Sequence, residues 1–251
     1  MLETPTEGDQ YCLDGYVYEG RLKRLGVVDS VMYPGTDAFM RFDYPSRLPL
    51  PIQQRAEDVA RRFFEAIGFD HGLFNMEFFY NPKTDKLTVI EFNPRMASQF
   101  SDLYRRVHGL NLHEIALALG HGIDPSHLPS HQQLRLPTAR CASSFVYRSF
   151  DPKAAVPMPS ATSKARFKEE FPDALLFEFP KLEGQIERDF KWLRSYRYGI
   201  VHLGGANPED LRARCAKASG LLGWKVPYAE QDNIAQTGNG TWDVLGQRAG
   251  Q

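Results

Sequence analysis

Between residues 74 and 99 the chain reads FNMEFFYNPKTDKLTVIEFNPRMASQ, and this stretch restricts the fold more than any other. Residues 74–80 and 87–93 are rich in aromatic and β-branched side chains and flank the polar Asn81-Pro82-Lys83-Thr84-Asp85-Lys86. That is the pattern of two strands joined by a turn. With the turn centred near Thr84, Glu77 falls directly across from Glu91. The period of two then sends Asn75, Glu77, Phe79, Val89, Glu91 and Asn93 to one face, and Met76, Phe78, Ile90 and Phe92 to the other. A slip of one residue would set each glutamate opposite an apolar side chain, so the pattern favours the register that pairs the carboxylates.

Paired carboxylates on a sheet repel, at a cost of roughly a few tenths to 1 kcal/mol, unless a cation sits between them. With Asn93 nearby, the face offers hard oxygen ligands and no cysteine or histidine, which points to Mg²⁺ or Mn²⁺ rather than zinc. Magnesium held by few carboxylates usually shares its shell with phosphate. Pro94 ends the ladder, and Arg95 leaves the sheet where its planar cation can reach a phosphate or a carboxylate substrate. A merely solvated acidic face is the competing reading, and Phe79 and Val89 on that face speak against it.

Glu77 ahead of a strand bearing Glu91-Phe92-Asn93-Pro94-Arg95 resembles the E…E-x-N-x-R signature in the C-terminal half of ATP-grasp enzymes. The stretch Gly109-Leu110-Asn111-Leu112-His113-Glu114-Ile115-Ala116, with Gly120, is similar to the segment that follows it in biotin carboxylases, carbamoyl-phosphate synthetases and amino-acid ligases. The resemblance implies that Glu77, Glu91 and Asn93 bind the metals on the ATP phosphates, with Glu91 also contacting the nucleotide. It further implies that Phe79 packs under the adenine and that Arg95 is the catalytic residue, holding the acceptor or an acyl-phosphate intermediate. Glu3, Gly8, Gln10 and Asp14 resemble the adenine-hinge segment of the same family, which makes Glu3 a candidate nucleotide contact. The chain departs from the biotin-carboxylase pattern at Gln99, where those enzymes place a catalytic glutamate. Glutamine cannot act as a general base at neutral pH.

At 251 residues the chain is long enough for one large or two modest domains. Its net charge of −1 suggests neither a nucleic acid nor an anionic membrane as partner. Cys12, Cys141 and Cys215 are far apart and lack C-x-x-C spacing, which fits a reducing cytoplasm. No apolar run approaches the roughly 18 residues of a membrane span.

In chain order, residues 11–18 and 21–31 read as a hairpin about Glu19-Gly20. Residues 31–51, rich in proline, glycine and aromatics, read as a loop with Arg41 a candidate phosphate contact. A helix follows from Ile52 to Ile67, stopped by Gly68, with Phe63 and Phe64 in its core stripe. Residues 101–107 and 112–119 read as helices, the second capped by Asn111 and closed by Gly120. The scattered histidines 108, 113, 121, 127 and 131 lack metal-site spacing. Beyond a linker, residues 141–148, 175–179 and 196–203 read as strands, with His202 a core or edge residue. One helix, capped by Asn207-Pro208, carries Leu211, Cys215, Ala218 and Leu222 up to Gly223.

The expected fold is α+β: the C-terminal half of an ATP-grasp domain, an antiparallel sheet with helices on one face, followed by a small α+β lobe. The boundaries read as residues 1–124 for the first part, 125–137 for the linker, 138–228 for the lobe and 229–251 for a disordered tail. The resemblance implies an ATP- and Mg²⁺-dependent (or Mn²⁺-dependent) ligase that activates a small-molecule carboxylate as an acyl phosphate for attack by an amine or related nucleophile. Two alternatives stand beside it: a biotin-carboxylase-like enzyme, and a truncated, non-catalytic ATP- and metal-binding protein. In the family the hinge follows a substrate domain and a lysine-bearing subdomain. Their absence ahead of Met1 leads us to expect an N-terminally truncated chain, inactive without a separate N-terminal half.

Overall fold

The computed structural model describes residues 6–129, 131, 138–153 and 158–228. Glu3, the expected tail and most of the expected linker lie outside these residues. Strands β1 (Asp9–Tyr18) and β2 (Arg21–Met32) form the anticipated hairpin. Its two turn residues, Glu19 and Gly20, take φ of 49° and 71°, the positive values that a tight two-residue turn requires.

The loop expected at 31–51 contains a strand instead, β3 (Phe39–Tyr44), paired with β2. Its flanking Pro34-Gly35 and Pro45 hid it: Met40, Phe42 and Tyr44 alternate with Arg41 and Asp43, but over too few residues to outweigh those turn signals. Helix α1 (Leu50–Ile67) has Pro51 in its first turn and ends on Gly68 in the left-handed region (φ 67°), whose N–H donates back to the last turn. Strands β4 (Gly72–Asn81) and β5 (Lys86–Asn93) follow, then a 3₁₀ turn at Ser98–Phe100 and helices α2 (Ser101–His108) and α3 (Leu112–Gly120). Asn111 caps α3 as expected, its Oδ1 accepting from the His113 N–H at 3.0 Å.

The C-terminal part comprises β6 (Cys141–Ser149), α4 (Ala161–Glu170), β7 (Leu175–Glu178), α5 (Glu183–Leu193), β8 (Tyr196–Gly205) and α6 (Pro208–Leu222). Helices α4 and α5 were not anticipated. In α4 a single buried residue, Phe167, stands among polar ones, so no apolar stripe announces it. α6 is capped as read, Asn207 Oδ1 accepting from the Asp210 N–H at 2.8 Å.

The eight strands among the described residues join one antiparallel sheet in the order β5-β4-β1-β2-β3-β6-β8-β7. Residues beyond 138 enter it through β6, which pairs with β3 and sets Asp43 opposite Ser143. The α+β, antiparallel architecture is as expected, but the helices cover both faces of the sheet rather than one. β1 explains why, being apolar on both parities. Leu13 and Val17 join Phe64 of α1, while Cys12 and Tyr16 join Leu103, Tyr104 and Ile115 of α2 and α3. A third core packs Leu211, Cys215 and Leu222 of α6 on Phe145, Val201 and Leu203.

Candidate functional site

β4 and β5 pair in the register the alternation demands, Glu77 across from Glu91 and Asn75 across from Asn93. A bulge then interrupts the ladder: Phe78 faces Val89, and Ile90, the extra residue, is exposed. This corrects the placement of Val89, which leaves the glutamate face and packs with Phe78 and Phe92 toward α1. Phe92 is anchored there by Phe63, stacked at 3.8 Å. β1 extends the glutamate face by one strand, with Gln10 opposite Phe79, Cys12 opposite Glu77 and Asp14 opposite Asn75.

On this face Glu77 is half-buried and Glu91 exposed. Glu77 Oε2 accepts from Gln10 Nε2 at 2.9 Å, and Glu91 Oε1 accepts from Asn93 Nδ2 at 2.8 Å. Arg95 reaches back to Asn93 Oδ1 at 3.3 Å, its own N–H donating to the Asn93 carbonyl at 2.8 Å. Burial raises the Glu77 pKa, and the charge of Glu91 raises it further, against the opposing pull of Arg95 and Gln10. A carboxylate pushed up by its neighbour is one that a cation between the two would relieve.

The donor set fits a hard divalent cation that draws much of its shell from elsewhere. Two carboxylates and an amide side chain share one face at the same end of the strands, and no cluster of three or more His, Cys, Asp or Glu suited to a metal exists among the described residues.

Beside the pair, two residues along the strands, lies a buried layer that the sequence reveals only in part. Asn75 Nδ2 donates to Asp14 Oδ1 at 3.0 Å and Tyr104 Oη donates to Asp14 Oδ2 at 2.7 Å, all three side chains being buried. Burial lifts the Asp14 carboxyl to about 7, even though the Tyr104 and Asn75 hydrogen bonds work the other way. The signal that could have placed Asp14 is parity, since Gln10, Cys12 and Asp14 alternate with apolar residues. Tyr104 gave none.

Phe79 is partly buried on the glutamate face and Arg95 is exposed at its end. Gln99 Nε2 donates to Ser144 Oγ at 3.0 Å. Arg41 is not a phosphate contact on this face. It is buried on the opposite side of the sheet, its Nε 2.8 Å from Asp43 Oδ2 and its guanidinium over the Tyr228 ring at 4.5 Å.

No family model matches the chain. It is 36% identical to the carbamoyl phosphate synthase large chain of Thermotoga neapolitana over 78 residues, covering 31% of this chain and 7% of that one. It is 33% identical to carnosine synthase 1 of Gallus gallus over 136 residues, covering 52% and 14%. Among solved structures, the L-amino acid ligase of Bacillus licheniformis superposes with a TM-score of 0.63 at 12% identity, over 85% of this chain and 52% of that one. The biotin carboxylase of Campylobacter jejuni gives 0.59 at 14%, over 88% and 47%. The chain shares the fold of these solved enzymes. It spans about half the length of these solved structures and a small part of the curated relatives. No helix among the described residues is long and apolar enough to cross a membrane.

Proposed function

We propose that the chain is the part of an ATP- and Mg²⁺-dependent ligase that grips the metal–phosphate end of ATP, for activation of a small-molecule carboxylate and its capture by an amine or related nucleophile. The observation that carries this reading is the Glu77–Glu91 pair, directly opposed on one sheet face with Asn93 and Arg95 at the same end. Glu77, Glu91 and Asn93 would hold the metal, which when bound supplies charge neutralisation to the transferring phosphoryl group. Gln10 fixes the Glu77 carboxylate, and Asn93 orients Glu91, so neither has to reorganise when charge develops. Arg95, tethered to Asn93, is placed to steady the negative charge of a carboxylate or acyl phosphate. Phe79 offers a flat apolar surface two residues along, suited to an adenine ring. The three cysteines are free, in keeping with a reducing cytoplasm.

Gln99 favours a carboxylate–amine ligation over a bicarbonate-dependent reaction. The residue has no basic oxygen, and its amide is committed to Ser144. The test is isotopic: the chain together with a separately expressed N-terminal half, given MgATP and a panel of ¹⁸O-carboxylate amino acids, should transfer ¹⁸O to inorganic phosphate. ATP hydrolysis that depends on bicarbonate and biotin, with no such transfer, would reverse the assignment.

A further inference from the structure

β6 and β8 carry a second charged constellation, distant from the glutamate pair. Arg148 and Arg197 are direct cross-strand partners, both partly buried. They lie on the face that bears Ser144 and His202, which is also the face of Glu77. Like charges set directly opposite each other on a sheet repel. Among the described residues neither arginine forms an ion pair. Arg148 Nη1 donates to the buried Ser195 Oγ at 3.2 Å, and the Arg197 guanidinium lies over the Phe179 ring at 4.3 Å. Arg148 Nε is buried with no hydrogen-bond partner.

Asp189 is the carboxylate whose charge reaches both arginines. It is already held by Lys181 and lies 3.6 Å from Arg188. One anion is therefore shared among four cations. Burial lowers the basicity of both guanidinium groups, and the charge of Arg197 lowers that of Arg148 further.

We propose that Arg148 and Arg197 form an oxyanion site that takes a carboxylate or phosphate group between their guanidinium planes. Nη1 is turned to Ser195 and Nε is buried, so Nη2 is the donor that Arg148 offers an oxygen of such a group. Both side chains are held in place beforehand, one by the Ser195 hydroxyl and the other by stacking on Phe179, so little side-chain freedom is lost on binding. β6 stands four inter-strand steps from β4, roughly 19 Å at the usual strand spacing. The anion held here is thus distinct from any phosphate at the glutamate pair, and the site stands or falls independently of the ligase reading.

The test is calorimetric titration of the full chain, without magnesium and at constant ionic strength in chloride, with inorganic phosphate and separately with succinate. At least one should bind, the successful arm identifying the group. Arg148→Gln and Arg197→Gln should each weaken it roughly tenfold or more, while Arg197→Lys keeps part of the affinity and Arg95→Gln all of it. In anion-free buffer Arg197→Gln should melt no lower than the parent, because it removes a repulsion; a purely structural arginine would lower the melting point. Binding of neither anion by the parent overturns the proposal, and this holds even if a variant fails to fold. Unchanged binding in both glutamine variants, loss in Arg95→Gln, or a clear drop in anion-free melting overturns it as well.

Discussion

Asp14, buried next to the site, departs far from ordinary carboxylate behaviour. Its folded pKa, about 7, stands above the ordinary value of 3.8, with burial as the first cause. A carboxyl raised in this way contributes stability in its neutral form, fully present below the unfolded pKa and lost as pH rises through the folded one. The difference corresponds to a loss on the order of 4 kcal/mol between those values. Urea denaturation from pH 4 to 8 should show that decline, and Asp14→Asn should flatten it; an unchanged slope would contradict the burial of the charge. Directly across from Asp14 on β2, Gly26 leaves room for the rings above it, a Cβ there falling 2.7 Å from Tyr44 Oη and 2.8 Å from Tyr104 Cε1. Gly26→Ala should therefore cost about 1–3 kcal/mol by overpacking, measured as a shift in the urea midpoint. Of this layer strand parity placed Asn75, because a period of two is local, and Asp14 was named only through the family resemblance. The sequence did not disclose Tyr104, which meets Asp14 across 90 positions of chain.

Among the elements, α2 is bound to the C-terminal strands by charge rather than by apolar contact alone. Arg106 Nε donates to Asp102 Oδ2 at 2.6 Å, and its Nη1 to Asp173 Oδ2 at 2.5 Å, ahead of β7. His202 of β8 sits 3.5 Å from the same Asp102 carboxylate, as the core residue expected for it. Burial alone would raise the Asp102 pKa, but His202, Arg106 and Arg105 hold it well below the ordinary carboxylate range. The stability it contributes is thus present above its unfolded pKa and lost as pH falls. Arg106→Ala would strand a buried carboxylate and should cost about 3–5 kcal/mol, most of it recovered in the Arg106→Ala/Asp102→Asn pair by denaturant titration. The β4–β5 register was legible because only one pairing keeps glutamates from opposing apolar residues. The bulge at Ile90 was not, since the seating of Phe92 against Phe63 decides it from another element. β3 escaped notice because it is short and set between Pro34-Gly35 and Pro45, and its neighbours in the sheet define it.

Across the whole molecule, a single sheet runs from the carboxylate pair at one edge to the paired arginines near the other. The cation that β5 places beside the carboxylates is Arg95, and one cation cannot neutralise a transferring phosphoryl group from every side. Each missing donor costs roughly 10²–10³ in rate, so the chain by itself should show no measurable ATP turnover. Turnover by the isolated chain that Arg95→Ala abolishes would contradict this. Binding is the more direct probe of the central claim that Glu77, Glu91 and Asn93 form a metal–nucleotide site. Calorimetric titration of the full chain with ATP, with magnesium and then with magnesium chelated, should give an affinity present only with the metal and at least roughly tenfold weaker in Glu91→Gln. Equal ATP affinity with and without magnesium, or equal affinity in the parent and Glu91→Gln, would show that the opposed glutamates are an ordinary acidic face.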